Sequence, residues 1–247
     1  MVGAALLSAQ GALRSGAGKV TVHSARCAMQ ILQTAAPEVM FRHDKNDIFV
    51  TDTGASGGYL RGFTAIGAGP GLGHREETVN AVEDLVKGYR GPLVLDADAL
   101  NCISTRRTLL NHLVPGTIIT PHIAEFDRLF GESATGEERF HKAVDLAAKH
   151  KIIIVLKQHH TAVIRPDGKV FFNSTGNPGM ATPGSGDVLT GIITALLAQG
   201  YRPEISAAAG VFIHGLAGDM ALKSSNTWSL SAGDIVAALP MAFATLI

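Results

Sequence analysis

Residues 176–189, Gly-Asn-Pro-Gly-Met-Ala-Thr-Pro-Gly-Ser-Gly-Asp-Val-Leu, put a loop of small residues and then an acid, Asp187, at the mouth of an apolar segment. Val188, Leu189, Ile192, Ile193, Leu196 and Leu197 recur at helical spacing and Gly200 closes the run, which predicts a helix near 187–199. Gly184 and Gly186 let backbone amides turn toward one point, and a helix N-terminus adds partial positive charge there. Together these make an anion site. A carboxylate beside a bound anion is unfavourable unless it handles a proton or a metal. The arrangement suits a base that deprotonates a hydroxyl about to attack a phosphoryl group. The same residues also have a purely structural reading, a tight turn with Asp187 as a helix cap.

The elements that must carry this loop are those of an α/β protein. The chain has 247 residues, 46% hydrophobic and 6% aromatic, with 28 glycines, which fits one domain with a sizeable core. Lys+Arg and Asp+Glu are both 21, so the formal net charge is zero. That balance argues against nucleic acid or an anionic membrane as partner, and an anionic ligand must be held by local groups. Cys27 and Cys102 lack metal-ligand spacing and read as reduced, buried residues of a cytoplasmic protein. No secretory leader or membrane span is expected.

Helices are predicted over 3–15, 75–89, 123–130, 137–150, 187–199, 204–222 and 231–238. Strands are predicted at Lys19–His23, Thr64–Ile66, Leu93–Leu95, Thr117–Ile119 and Ile152–Leu156, with a hairpin of Thr161–Arg165 and Lys169–Phe172 across Pro166-Asp167-Gly168. Strands alternating with helices imply a mainly parallel sheet covered on both faces. Polar residues follow the strands at 67–73, 96–101, 120–122 and 157–161, the sheet edge where open α/β folds bind ligands.

With these residues in hand, the chain resembles the ADP/ATP-dependent NAD(P)H-hydrate dehydratases of the ribokinase-like superfamily. The resemblance is carried in order by GAALLSAQGALRSGAGKVTVH at 3–23, GAGPGLG at 67–73, LVLDADALN at 93–101, TPHIAEFDRLFG at 120–131, LKQHHTAVI at 156–164, NSTGNPGMATPGSGDVLTGIITALLAQG at 173–200 and HGLAGDMA at 214–221. It implies a three-layer α/β/α domain over 1–247. It also implies repair of hydrated NADH or NADPH, in which a nucleotide phosphorylates the ring hydroxyl, phosphate leaves and the double bond returns. ADP is the expected phosphoryl donor, giving AMP and phosphate, with ATP as the other choice and Mg2+ as cofactor. The substrate is the S epimer, which a partner epimerase supplies, and a homotetramer is expected.

The resemblance also assigns residues. Asp187 matches the catalytic acid, and Ala4, Gly71, Gly73 and His122 match substrate positions. Lys157, Gln158, His159, His160 and Thr161, with Gly184, Ser185 and Gly186, match nucleotide positions; Gln158 stands where relatives often carry Gly. Asp96 and Glu125 are candidates for holding Mg2+ through water, since no protein-only metal site is expected. Each has a plainer reading: His122 as a hydrogen-bonded structural residue, Glu125 as a solvated helix residue, Lys157 as a solvated strand end.

Family members usually begin with a strand and a Gly-rich turn ahead of the segment matching GAALL, and this chain starts at Met1-Val2-Gly3, so Ala4 is expected on a frayed end. Two alternatives stand beside the repair activity. One is a ribokinase-like kinase of a thiazole or pyrimidine alcohol. The other is a nucleotide-binding remnant without catalysis.

Overall fold

A computed structural model describes residues 1–246. The chain runs α1 (Val2–Arg14), β1 (Thr21–Ser24), α2 (Met29–Ala35), β2 (Met40–His43), β3 (Ile66–Ala68), α3 (Glu76–Gly88), β4 (Leu93–Leu95), α4 (Ala97–Thr105), β5 (Ile118–Ile119), α5 (Ile123–Phe130), α6 (Gly136–His150), β6 (Ile153–Leu156), β7 (Ala162–Ile164), β8 (Val170–Phe172), α7 (Ser185–Ala198), α8 (Pro203–Leu222) and α9 (Ala232–Ala244). Strands β3 to β8 lie side by side in sequence order, and β1 pairs with β2 in a separate two-stranded sheet. The β3–β6 pairings are parallel, and the hairpin β7–β8 adds two antiparallel strands at the edge.

Period-2 alternation explains why helices cover both faces. Leu93, Leu95, Ile119, Ile154 and Leu156 point to one side, where they meet Val82 and Leu85 of α3, Leu100 of α4, Phe126 of α5 and Ala143 of α6. Val94, Ile118, Ile153 and Val155 point to the other, against Leu189, Ile193 and Leu197 of α7 and Val211 of α8. A further apolar cluster joins Val188, Ile192 and Leu196 of α7 to Ile213 of α8 and Ile235 of α9. Helix α7 is therefore buried on two sides, as its near-continuous apolar sequence requires. The three-layer arrangement and mainly parallel sheet agree with expectation.

Three local expectations are corrected. Helix α2, strand β2 and helix α4 carry no clear periodic signal, and all three form. Ala4 is buried within α1, not frayed. Cys27 is exposed, while Cys102 is buried as expected; both are free thiols. Helix α8 is 20 residues long and apolar enough to cross a membrane by length and composition alone; half of its apolar window is buried, with Val211 and Ile213 packed in the core.

The β1–β2 pair does not join the larger sheet. A cavity of about 240 Å³ lies between Thr21–His23 and Ile66–Gly69, floored by Ala5 and Ser8 of α1 and Gly191 of α7.

Close approach of α1 to α7 depends on two glycines. A methyl group on Gly191 would overlap the Ser8 carbonyl oxygen and come within 2.8 Å of the Ala12 nitrogen, and one on Gly11 would lie 2.7 Å from the Val188 carbonyl oxygen. These obstacles are backbone atoms, which cannot rotate away. Gly191→Ala gains helix propensity of about 1 kcal/mol, yet overpacking costs about 1–3 kcal/mol or more. A net loss of stability is expected in chemical denaturation; a stabilised Gly191→Ala protein would show that the helices can separate freely.

Candidate active site

Gly184 immediately precedes helix α7, and its φ of +90° is the left-handed conformation that glycine adopts without strain. No side chain caps the helix. Asp187 lies in the first turn but caps nothing, so the structural reading of that residue is not what the fold uses. The Ser185 amide donates to the Thr182 carbonyl at 3.3 Å and the Val188 amide to the Gly184 carbonyl at 3.1 Å. Among the described residues, the amides of Gly186 and Asp187 have no backbone acceptor. The Gly184 amide is likewise without a backbone acceptor, so of the expected Gly184–Gly186 set only the Ser185 amide is engaged, and Asp187 adds a donor.

Three strand ends meet this mouth. Lys157, at the end of β6, places its Nζ 2.8 Å from Asp96 Oδ1, at the end of β4. A methyl group on Gly186 would lie 3.2 Å from that Nζ and 3.8 Å from Asp96 Oδ2. Lys157 is therefore no solvated strand end: its ammonium lies against the start of α7. Glu125 Oε2 is 4.0 Å from the same Nζ. Pro121, at the end of β5, accepts from the Lys157 amide at 2.9 Å, which brings His122 alongside.

His122 caps α5. Its Nδ1 accepts from the amides of Ala124 at 3.1 Å and Glu125 at 3.4 Å, and Glu125 Oε2 accepts from the His122 amide at 2.9 Å. This capping box consumes Nδ1 as an acceptor, so the neutral ring carries its proton on Nε2. Nε2 lies 3.3 Å from Glu125 Oε1. Glu125 is 6% exposed, which rules out the solvated-helix reading.

Helix α4 opens on Ala97, whose φ of +46° is unusual for a residue with a Cβ. Asp98 then reaches back, and its Oδ2 accepts from the Gly73 amide at 2.8 Å. The left-handed turns at Gly71 and Gly73 are thereby tied to the same crevice. Asn101 donates to Asp98 Oδ1 at 3.3 Å and accepts from Arg128. Gln158, His159 and His160 form an exposed loop beyond Lys157, with the two imidazoles edge-to-face at 4.4 Å. Ala4 is buried on α1, whose start reaches the crevice: the Met1 amino group donates to the Gly71 carbonyl, and Leu7 packs against Gly184.

Several supporting residues carry no individual assignment from the sequence. Ser185 Oγ lies 3.2 Å from His214 Nε2, and burial pushes the His214 pKa down to about 4. Asp219 accepts from the Gly176 amide at 2.8 Å and from Asn177 Nδ2 at 3.0 Å, which pins the loop before α7. Both lie in the quoted segment HGLAGDMA, the signal available for them. Asp98 is the second acid of D-A-D, and Thr190 is treated below.

Burial, then the Asp96 charge, pushes the Asp187 pKa up to about 6, partly offset by Lys157. Asp187 is half-buried and joins no hydrogen bond or ion pair among the described residues. The site is thus an amide-lined helix mouth with an ammonium on one side and an unpartnered, easily protonated carboxylate on the other. It can receive an anion and take a proton beside it.

The family profile described as NAD(P)H-hydrate dehydratase matches residues 1–241. The bifunctional NAD(P)H-hydrate repair enzyme Nnr of Moorella thermoacetica is 38% identical over 97% of this chain and 46% of its own length. The ADP-dependent (S)-NAD(P)H-hydrate dehydratase of Neisseria meningitidis serogroup B is 36% identical over 96% of this chain and 79% of its own. The chain thus spans about half the length of the bifunctional relatives it matches. A Bacillus subtilis ADP/ATP-dependent NAD(P)H-hydrate dehydratase, co-crystallised with ATP/Mg2+, superposes with a TM-score of 0.85 at 29% identity, covering 100% of this chain and 86% of that one. An Arabidopsis thaliana ribokinase shares the fold alone, with a TM-score of 0.60 at 13% identity over 95% of this chain and 86% of its own.

A carboxyl whose folded pKa is raised disfavours its charged form, so it lowers stability as pH climbs from the unfolded value through the folded one. Asp187 rises from 3.8 to about 6. Asp187→Asn is therefore expected to be more stable than the parent at pH 8, by on the order of 1–2 kcal/mol after solvent screening, and equally stable at pH 3. Melting curves at the two pH values check this; a variant less stable at pH 8 contradicts the unpartnered carboxylate.

Proposed function

The chain belongs to the NAD(P)H-hydrate dehydratase family, and we propose that it dehydrates the S epimer of hydrated NADH or NADPH at the expense of ADP. Residues 1–247 act as one catalytic domain in this reading. The observation that carries it is Asp187, ionisable near neutrality and unpartnered, beside the free amides of Gly186 and Asp187 and the Lys157 ammonium.

The amides at the mouth of α7 and Lys157 hold the terminal phosphoryl group and spread its negative charge. Asp187 takes the proton of the ring hydroxyl, whose oxygen then attacks phosphorus as AMP leaves. Breaking the C–O bond releases phosphate, and loss of a ring proton restores the double bond. His122, with Nε2 bearing the proton, is a donor for the substrate. Ala4, Gly71 and Gly73 contribute to the substrate side, and Lys157–Thr161 to the nucleotide.

Among the described residues no group of three metal-ligating side chains occurs. Asp96 is buried with both oxygens engaged by Lys157 and Thr190, and does not fit Mg2+ even through water; Glu125 faces Lys157 and accepts from the His122 amide. Mg2+ would therefore be held mainly by the nucleotide and water, with Glu125 the remaining carboxylate nearby, not in a protein cage. When bound, the ion offsets polyphosphate charge. The proposal extends to a cytoplasmic homotetramer fed by an epimerase. The word bifunctional in the names of longer relatives supports the epimerase link.

Recovery of the reduced-nicotinamide absorbance on mixing the protein with hydrated NADH and ADP tests the reaction. Asp187→Asn is expected to lose at least about 10²-fold in kcat, the scale of general-base removal. A phosphorylated alcohol without recovered absorbance would instead favour the kinase reading, and ADP binding without turnover the remnant.

The pH profile gives a separate check. The base must be ionised, so kcat/KM is expected to fall about tenfold per pH unit below the Asp187 pKa of about 6. A profile flat from pH 8 down to pH 5 would remove Asp187 from the role of base.

A further inference from the structure

Thr190 is fully buried in α7, four residues after Gly186. The proton transfer assigned to Asp187 does not use it. Its hydroxyl nevertheless reaches Asp96 Oδ2 at 2.8 Å and the Gly186 carbonyl at 3.2 Å. A hydroxyl has one proton to give, and the shorter, charge-assisted bond takes it. The other Asp96 oxygen accepts from Lys157 Nζ at 2.8 Å. Asp96 is 1% exposed, so water does not stand in for either partner. A carboxylate this deeply buried is unfavourable unless both oxygens are engaged. The chain Thr190–Asp96–Lys157 therefore joins α7 to the ends of β4 and β6, across 94 and 61 residues of sequence. It ends with the ammonium against Gly186, at the helix mouth.

We propose that Thr190 is a positioning residue, which acts through Asp96 to hold the Lys157 ammonium where the terminal phosphate of the nucleotide is received. This rests on the nucleotide site proposed above. Without the hydroxyl, Asp96 is free to turn on its side-chain torsions, and Lys157 follows it away from Gly186. Proton removal by Asp187 is affected less, because Asp187 makes no hydrogen bond to any member of the chain and feels it only through the charges of Asp96 and Lys157, which Thr190→Val leaves in place.

Two substitutions separate this role from packing. Thr190→Val keeps the volume and loses the hydroxyl; Thr190→Ser keeps the hydroxyl and loses a methyl group. Titration calorimetry with ADP is expected to show about tenfold weaker binding for Thr190→Val, the scale of one hydrogen bond to a charged group, and for Thr190→Ser a value within about twofold of the parent. In turnover, KM for ADP rises in Thr190→Val by more than kcat falls. Should Thr190→Val fail to fold, Thr190→Cys, with its weak donor, is measured instead with the same expectation. Parent-like ADP binding by the valine or cysteine variant overturns the proposal, as does a serine variant weaker than the valine one. Failure of the parent protein to bind ADP sinks the nucleotide site itself, and the positioning role with it.

Discussion

Lys157 is the cation around which Asp96, Glu125 and Asp187 are arranged, and its allegiance sets the chemistry of the site. Asp96 holds it at 2.8 Å and Glu125 stands at 4.0 Å, which leaves Asp187 without a partner of its own. Burial and the Asp96 charge then raise the Asp187 pKa to about 6. Were Lys157 bound to Asp187 instead, the carboxylate would be a weaker base and would occupy the ammonium that an incoming phosphate needs. In the proposed reaction, the ion pair with Asp96 thus keeps the base strong and the cation positioned, each by denying it to the other.

Such an arrangement needs rigid supports. The three strand ends are parallel neighbours in one sheet, so their spacing is fixed by backbone hydrogen bonds. Helix α7 is clamped by the sheet on one face and by α8 and α9 on the other, and α1 crosses it at glycine contact. None of these elements can rotate without opening a core in which most side chains are nearly inaccessible. The mobile-looking parts, the loop before α7 and the turns at Gly71 and Gly73, are tied down by Asp219 and Asp98.

Much of this was legible in the sequence because the signals are local. Leu93–Leu95 and Ile152–Leu156 are short apolar runs ending in polar residues, and Val188–Leu197 has a helical period, so their places at the sheet and against it follow from pattern alone. Asp187 and Lys157 stand out beside glycine and strand end. Strand β2 does not, because Met-Phe-Arg-His is half-exposed and has no alternation. Helix α4 starts from a left-handed alanine, a conformation no residue type announces. Cys27 reads as a small buried residue until the fold leaves it outside. Thr190 is the most instructive miss: inside an apolar helix it looks like filler, and only its partner 94 residues away gives it a task.

With equal numbers of acidic and basic residues, the protein offers no net charge to draw in the proposed polyphosphate, so attraction would come from the helix mouth and Lys157. The helix N-terminus favours an ionised Asp187 by about 0.3–1 kcal/mol, yet the carboxyl is pushed the other way, which means burial and neighbouring acids dominate. A phosphate received at the same amides adds negative charge beside Asp187 and takes up the helix's stabilising donors. Both changes raise its proton affinity further. In the proposed reaction the base is therefore strongest when the group that makes its proton transfer productive is in place, and the cost is borne by the free protein, in which an unpartnered carboxylate is held half-buried.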